Sequence, residues 1–171
     1  MERKRIKLEE LRTIGGFPFR DAELDATGNI IREVVKDADG NPVKQIPRND
    51  RGEPFSNVEP ELLYQPKTKV LKLDALPSLL KRLYLNIPPN RCTRQDTIYG
   101  TRLFQNIAQS KDGYLELDDD VHKWVMKQLT DEGPDGKGID GVGLGIFGKN
   151  LQVVEQAVDN FERPHKSKEA G

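Results

Sequence analysis

The stretch GVGLGIFGKN, residues 141–150, has the residue types of a phosphate-binding loop. Gly143, Gly145 and Gly148 have the G-x-G-x-x-G spacing of dinucleotide-binding loops, and from Gly143 the stretch also matches G-x-x-x-x-G-K. Such loops bind phosphate through backbone N–H groups at the start of a helix. A complete P-loop continues with Ser or Thr, which binds magnesium, but Asn150 stands at that place.

The residues around this stretch do not fit a nucleotide-binding fold. The preceding EGPDGKGIDG is a poor strand, whereas both loop types must follow one. We therefore expect a flexible connector over 131–148, without a cofactor, that joins two helices. The apolar residues Leu144, Ile146 and Phe147 predict that this connector packs on the core or on a neighbouring molecule.

Other residues that could do chemistry have simpler explanations. The run Asp118–Asp120 begins a predicted helix, where the helix dipole stabilises negative charge. Consecutive carboxylates there point in different directions, so they do not converge on a metal ion. Cys92 is the one cysteine, and with only His122 and His165 the usual zinc ligand sets cannot be assembled. His122 lies on the polar side of its predicted helix, so we expect it in solvent. The sequence predicts no catalytic residue and no metal ligand, and hence not an enzyme.

Composition favours a binding protein. Hydrophobic residues make up 35% and charged residues 32%, which predicts that part of the chain is extended or is ordered only against a partner. The formal net charge of −1 gives no overall field toward nucleic acid or an anionic membrane. No apolar run approaches the ~20 residues of a membrane span. We expect a soluble protein, intracellular or packaged, with no membrane partner.

A basic run supports an alternative in which the chain binds nucleic acid. Between residues 81 and 102 the single acid is Asp96, and three predicted helices follow in succession around a basic turn. A helix-turn-helix-like unit would place one helix in a groove. The candidate contacts in this alternative are Arg91, Arg94 and Arg102.

The N-terminal third carries a period of twelve residues. Gly28, Gly40 and Gly52 fall twelve apart, and the fourth residue of each frame is apolar: Ile31, Val43 and Phe55. Turn-forming residues precede each glycine, which predicts tight turns between short strands, with a hairpin around Asp39-Gly40. Several prolines remove ladder donors. Residues 23–66 are therefore predicted to form a β-hairpin and an extended proline-rich arm, with a closed small sheet as the alternative.

Helical periodicity begins near residue 67. LDALPSLLKRLYL has one leucine stripe, and Thr93 with Asp96 imitates a capping box at the next helix. Gly100 inside that helix indicates a close helix crossing. DDDVHKWVMKQL carries a stripe that includes Trp124, so the sequence predicts a three-helix core over 67–130. NLQVVEQAVDNFERP predicts a C-terminal helix over 149–163, followed by a polar tail over 164–171.

The N-terminal segment 1–22 is predicted to dock on a surface. IKLEELRTIGGFPF could form a short amphipathic helix ending at Gly15-Gly16, followed by Phe17 and Phe19. This segment could bind another chain, or it could cover the protein's own core.

The order of elements resembles a group of small bacteriophage-encoded proteins. The resemblance lies in the D-x-D-G-x-P turn of DADGNP and in KVLKLDALPSLL, TIYGTRLFQNI, YLELDDDVHKWVMKQL and NLQVVEQAVDN. It covers residues 37–161, and DEGPDGKGIDG departs from it. Such proteins include virion components, assembly factors and accessory proteins. The resemblance implies a cytoplasmic location in the host cell or a virion-associated one.

We expect an α+β protein with a C-terminal four-helix core region and an N-terminal β-hairpin and extended arm. Its expected function is non-enzymatic protein–protein interaction within a larger, bacteriophage-related assembly. The expected partners are proteins, either further copies of the chain or other subunits. The candidate protein contacts are Phe17, Phe19, Ile31, Val43, Phe55, Leu144, Ile146 and Phe147.

Overall fold

The fold is α+β, and the computed structural model describes residues 2–162. The predicted tail over 164–171 lies outside the described residues. The strands are β1 (Arg3–Lys7), β2 (Arg20–Ala22), β3 (Arg32–Val34), β4 (Lys44–Gln45), β5 (Glu61–Leu62), β6 (Tyr64–Pro66), β7 (Thr68–Val70) and β8 (Tyr114–Asp118). The helices are α1 (Ala75–Leu85), α2 (Arg94–Gln109), α3 (Asp119–Leu129), α4 (Val142–Phe147) and α5 (Leu151–Asp159).

The chain divides into two compact units. One is built from the chain up to Phe19 and from Leu71 onward, and we call it the helical unit. The other is Arg20–Val70, which we call the ladder unit. In the ladder unit β2 pairs with β7, β3 with β6 and β4 with β5, all antiparallel. In the helical unit β1 pairs with β8, also antiparallel.

The core lies in the helical unit, around the predicted leucine and valine stripes. The stripe of α1 is buried because leucines spaced three and four apart lie on one helix face. Helix α3 buries Trp124 on its own stripe. The largest fully buried side chains are Ile6, Leu71, Leu79, Leu80, Leu83, Leu103, Leu115, Leu117, Leu129, Val121, Val125 and Val154.

Helix α2 begins and crosses its neighbour as its sequence predicts. The Thr93 hydroxyl accepts from the Asp96 N–H at 3.2 Å, and the Asp96 carboxylate accepts from the Thr93 N–H at 2.8 Å. This reciprocal pair is a capping box. A Cβ added at Gly100 would overlap the ring of Tyr84, so the glycine permits the close approach of α1 and α2.

The N-terminal residues form a strand instead of the predicted amphipathic helix. Strand β1 pairs with β8 from Arg3 opposite Asp118 to Lys7 opposite Tyr114. Ile6 is buried, and the arginines on the other face of β1 make ion pairs with Glu116. The helix prediction was wrong because pairing with a strand more than a hundred residues away outweighs local helical periodicity.

The predicted connector over 131–148 is partly helical. Val142–Phe147 forms helix α4. The glycines of the G-x-G-x-x-G pattern therefore lie in this helix and at its C-terminal end, and they do not form a phosphate-binding loop. The helix forms because Val142 and Phe147 are buried in the core, which offsets the low helix propensity of its glycines. Among residues 2–162, no helix combines the length and the apolar character that a membrane crossing requires.

Candidate protein-interaction site

One tight turn recurs along the N-terminal part of the chain. In the turn over 25–29, the Gly28 N–H donates to the Asp25 carbonyl at 3.1 Å and the Asp25 N–H donates to the Asn29 carbonyl at 2.9 Å. The Asp25 carboxylate accepts from the N–H groups of Thr27 at 2.9 Å and Asn29 at 3.0 Å. A hydrogen bond from the Thr27 hydroxyl, joined by those backbone N–H groups, lowers the pKa of Asp25.

The turns over 37–41 and 49–53 repeat these hydrogen bonds. Asp37 and Asn49 each accept two backbone N–H groups on the side-chain oxygen, at 2.9 to 3.0 Å. The fourth residue of each turn is a glycine with positive φ, a conformation that glycine adopts without steric cost. The φ values are 86° at Gly28, 81° at Gly40 and 76° at Gly52.

A fourth copy of the turn, over 13–17, was missed by the sequence reasoning. The Gly16 N–H donates to the Thr13 carbonyl at 2.9 Å, and the Thr13 hydroxyl accepts from the Phe17 N–H at 3.2 Å. Gly16 has φ 84°. Its place twelve residues before Gly28 was the signal in the sequence that could have revealed it. This turn belongs to the helical unit, where the Ile14 N–H donates to the Asn150 side-chain oxygen at 3.0 Å.

Three segments of chain meet at backbone junctions in the ladder unit. At the first junction, the Glu23 N–H donates to the Lys67 carbonyl at 2.8 Å, the Lys67 N–H donates to the Ile31 carbonyl at 2.7 Å, and the Ile31 N–H donates to the Glu23 carbonyl at 2.9 Å. Each residue therefore gives one hydrogen bond and accepts one. This ring of three hydrogen bonds closes the base of the loop that carries the turn over 25–29.

The second junction repeats this ring one period later. Val35 donates to Leu63 at 2.8 Å, Leu63 to Val43 at 2.9 Å, and Val43 to Val35 at 2.8 Å. From the first junction to the second, the junction residues before the turns are twelve apart, at Glu23 and Val35. Those on the strand that pairs with them are only four apart, at Lys67 and Leu63. The difference of eight residues is the length of each loop that carries a turn. The sequence indicated the twelve-residue period but not the strands that pair with it. Residues 61–70 lack the alternation of apolar and polar residues that marks a strand.

The ladder unit has no buried residue. Its order comes from backbone hydrogen bonds and from a thin row of half-buried side chains that includes Ile31, Val35, Val43 and Leu63. Its exposed large apolar residues are Leu24, Ile30, Ile46, Phe55, Val58, Leu62, Tyr64 and Val70. These side chains leave apolar area in solvent that a bound partner could cover.

The structure separates the predicted aromatic contacts. Phe17 is 71% exposed at the turn over 13–17, next to Ile14 at 72%. Phe55 is exposed in the ladder unit. Phe19, in contrast, is buried and belongs to the hydrophobic core of the helical unit. Its side chain is therefore not available as a contact for a partner.

The predicted contacts of the glycine-rich stretch are also divided. Leu144 is exposed on helix α4 and Ile146 is half-buried. Phe147 is buried because α4 packs it into the core. Of these three predicted contacts, only Leu144 therefore offers an exposed side chain to a partner.

Two of the three predicted nucleic-acid contacts are engaged in ion pairs. The Arg91 guanidinium contacts the Asp131 carboxylate and donates to the Asp140 carbonyl. Burial disfavours the charge on Asp131, but hydrogen bonds from the Val142 N–H and from Arg91 outweigh it and lower its pKa.

Arg102 lies 3.2 Å from the Asp118 carboxylate, which Asn106 also contacts at 3.2 Å. Burial opposes the charge of Asp118, and these two hydrogen bonds outweigh it and lower its pKa. Arg94 is exposed on the first turn of α2. The basic run therefore holds the helical unit together through carboxylates in addition to presenting charge to solvent.

The Asp96 carboxylate lies beside a cleft of about 410 Å³. One oxygen accepts from the Trp124 indole N–H at 2.9 Å and from the Gln128 amide at 3.4 Å, while the other completes the capping box. Burial raises the cost of its charge, yet the hydrogen bonds from Thr93 and Trp124 prevail and lower its pKa. The carboxylate joins α2 to α3, a structural role that its hydrogen bonds fully explain.

His122 is buried, although it was predicted to be in solvent. Its Nε2 atom lies 2.9 Å from the Val158 carbonyl oxygen, and its ring meets the edge of Phe161. Helix α5 covers the side of α3 that the sequence had indicated as polar. Among residues 2–162, no group of three His, Cys, Asp or Glu side chains is placed to hold a metal ion.

No protein-family model matches the chain, and no curated protein or solved structure is significantly similar to it.

Proposed function

We propose that this protein is a non-enzymatic interaction component of a larger assembly and that the ladder unit is its contact surface. The single observation that supports the proposal is a regular backbone ladder over Arg20–Val70 in which no residue is buried. Helix α4 and the turn over 13–17 add exposed Leu144, Ile14 and Phe17 in the helical unit.

The physical reason is the small stability of paired strands without a core. An isolated two-stranded ribbon is marginally stable in water, and strands need a third strand or a packed face to be stable independently. The pairs β2 with β7, β3 with β6 and β4 with β5 are only two or three residues long. A partner that covers the exposed apolar side chains would provide the missing burial.

Strand edges make this partner a protein. Unpaired N–H and C=O groups along an edge bind extended peptide, and side chains on alternate positions add specificity. The ladder unit has balanced charge, with acidic and basic residues along its length, which argues against a phosphate backbone as the partner. The bacteriophage setting of the assembly rests on the sequence resemblance.

Hydrogen exchange tests the proposal. In dilute isolated protein, we expect the amides of Arg20–Val70 to exchange much faster than those of α1, α2 and α3, because local opening of the ladder exposes no core. Protection of the ladder amides should rise when a partner is bound. Ladder amides as protected as those of the core, in dilute isolated protein, would show that the unit needs no partner and would contradict the proposal.

A further inference from the structure

The third junction of the ladder unit is incomplete. The Phe55 N–H donates to the Pro47 carbonyl at 3.0 Å, which corresponds to Ile31 with Glu23 and Val43 with Val35. The returning strand should supply the third residue, because its junction residues are four apart, at Lys67 and Leu63. Residue 59 would be next, but among residues 2–162 no hydrogen bond ends on the Phe55 carbonyl oxygen.

The cause of this vacancy is in the sequence. The chain turns back directly after Phe55, with Asn57 at φ 63°, and only from Glu61 does it pair with β4. Pro47 has no N–H, so the vacant strand needs to donate one hydrogen bond and need not accept one from this residue. The chemistry of the missing occupant is thus an extended peptide with a free N–H.

A cavity lies at the same junction. It has a volume of about 550 Å³ and is lined by Gln45, Ile46, Pro47, Arg48 and Pro54. The neighbouring apolar side chains are open to solvent, with Ile46 exposed by 47%, Phe55 by 48% and Val58 by 43%. The vacant backbone position and the open cavity are therefore two observations at one junction, which share Pro47.

The same end of the ladder unit also carries a segment that fits this site. Residues 56–60 follow Phe55, and no described hydrogen bond begins at the N–H of Val58 or Glu59. Val58 supplies an exposed apolar side chain, and Ile46 and two prolines give the cavity apolar lining. A two-fold interface requires that one surface carry both the vacant acceptor and the segment with free N–H groups. Each copy then donates its segment to the vacant junction of the other.

We propose that the third junction binds residues 56–60 of a second copy of this chain, by reciprocal pairing around a two-fold axis. The inference rests on the proposed function and names the partner at one end of the ladder unit. In the pair, an N–H of the 56–60 segment of one copy donates to the Phe55 carbonyl of the other, and Val58 enters the pocket beside Ile46.

The charges beside the pocket and on the 56–60 segment are also complementary, as reciprocal pairing requires. The pocket side carries Arg48, and Arg51 follows in the adjacent turn, while the segment carries Glu59 and is followed by Glu61. The Arg48 guanidinium donates to the Gly52 carbonyl at 2.7 Å, and Arg48 also lines the cavity. A reciprocal pair brings Arg48 of each copy toward Glu59 of the other. Such pairing affects specificity and association rate more than affinity.

Cysteine cross-linking tests the pairing. Val58→Cys is made together with Cys92→Ser, and the purified full chain is treated over a range of concentrations with a short bismaleimide, which joins two nearby thiols without the exact geometry that a disulfide requires. We expect covalent dimers on non-reducing gels, formed many times faster than in the matched variant Ala38→Cys with Cys92→Ser. Ala38 is an exposed residue of the turn over 37–41, so it reports random collision. A covalent trap suits this contact because one junction buries less than the ~1,600 Å² of a standard stable interface.

A charge exchange between two samples shows that the contact is made between copies. In the Val58→Cys background, Arg48→Glu and Glu59→Arg should each reduce dimer formation several-fold when alone. Mixing the two samples should restore it, because each mixed pair again joins opposite charges. Restoration in the mixture cannot come from a change in folding of either variant.

The outcomes separate this inference from the proposed function. Val58→Cys that cross-links no faster than Ala38→Cys overturns the pairing, and so does a mixture that behaves like its separate components. If ladder amides are nevertheless unprotected in the dilute chain, the proposed function stands and the partner is a different protein. If the ladder amides are protected and cross-linking is absent, both proposals fail.

Discussion

The Leu71 N–H donates to the Phe19 carbonyl oxygen at 2.8 Å. Phe19 is the last residue of the helical unit before the ladder unit, and Leu71 is the first residue after it. Both side chains are buried in the core of the helical unit. The ladder unit is therefore inserted between two backbone positions that the helical unit itself holds together.

Shortening the ladder should leave the helical unit folded. Glu23 and Lys67 are hydrogen-bonded across the ladder, so residues 24–66 can be replaced by Asn-Gly, a favoured two-residue hairpin turn. Because every buried residue lies outside the removed segment, we expect the free energy of unfolding to change by less than about 1 kcal/mol. Urea unfolding followed by Trp124 fluorescence measures this change. A shortened chain without a cooperative transition would contradict the division into units.

Gly100→Ala should destabilise the crossing of α1 and α2. Alanine gains about 1 kcal/mol in helix propensity, but its Cβ overlaps the ring of Tyr84, and overpacking of this kind costs about 1–3 kcal/mol. We expect net destabilisation in thermal unfolding. The matched control is Gly145→Ala in α4, where a Cβ meets no atom within 4 Å. Equal or higher stability of Gly100→Ala relative to wild type would argue against the close crossing.

Asp96→Asn should weaken the joint between α2 and α3. The amide would put a donor where the carboxylate accepts from Thr93, Trp124 and Gln128, and an unsatisfied buried group costs about 1–3 kcal/mol. We expect lower stability and altered Trp124 fluorescence. Asp159→Asn changes an exposed carboxylate at the end of α5 and serves as the control. Wild-type fluorescence and stability in Asp96→Asn would contradict the assigned hydrogen bonds.

The same carboxylates should make the protein sensitive to acid. Asp96, Asp118 and Asp131 have lowered pKa values in the folded chain, so their stabilisation is fully present above the ordinary aspartate pKa of about 4. It is lost as the pH falls from there through the folded pKa values. We expect stability to decrease below about pH 4, and Asp118→Asn to show a shallower decrease. A decrease as steep in Asp118→Asn as in wild type would contradict this role of Asp118.

The sequence predicts the helical elements well because their signals are local. The leucine stripe of α1 and the Thr93 capping box each act within one or two helix turns. The buried position of His122 could not be predicted in this way. It depends on α5, which lies far along the chain and packs on α3.

The ladder unit shows the opposite case. Its turns follow from Asp or Asn three residues before a glycine, and so the twelve-residue period could be found locally. The pairing of β3 with β6, and the strand β1 in place of a helix, depend on partners distant in sequence. Such pairing is decided by the whole fold, and local propensity carries little information about it. The incomplete third junction becomes visible only when the first two rings are known.

Light scattering coupled to size-exclusion chromatography tests the central claim most directly. The mass of the full chain is measured over a wide range of concentrations, beside the variant in which Asn-Gly replaces residues 24–66. We predict that the mass of the full chain rises from monomer toward dimer, because the ladder unit binds a second copy, and that the shortened chain remains a monomer. A full chain that keeps the mass of its monomer at every concentration, as the shortened chain does, would contradict the claim.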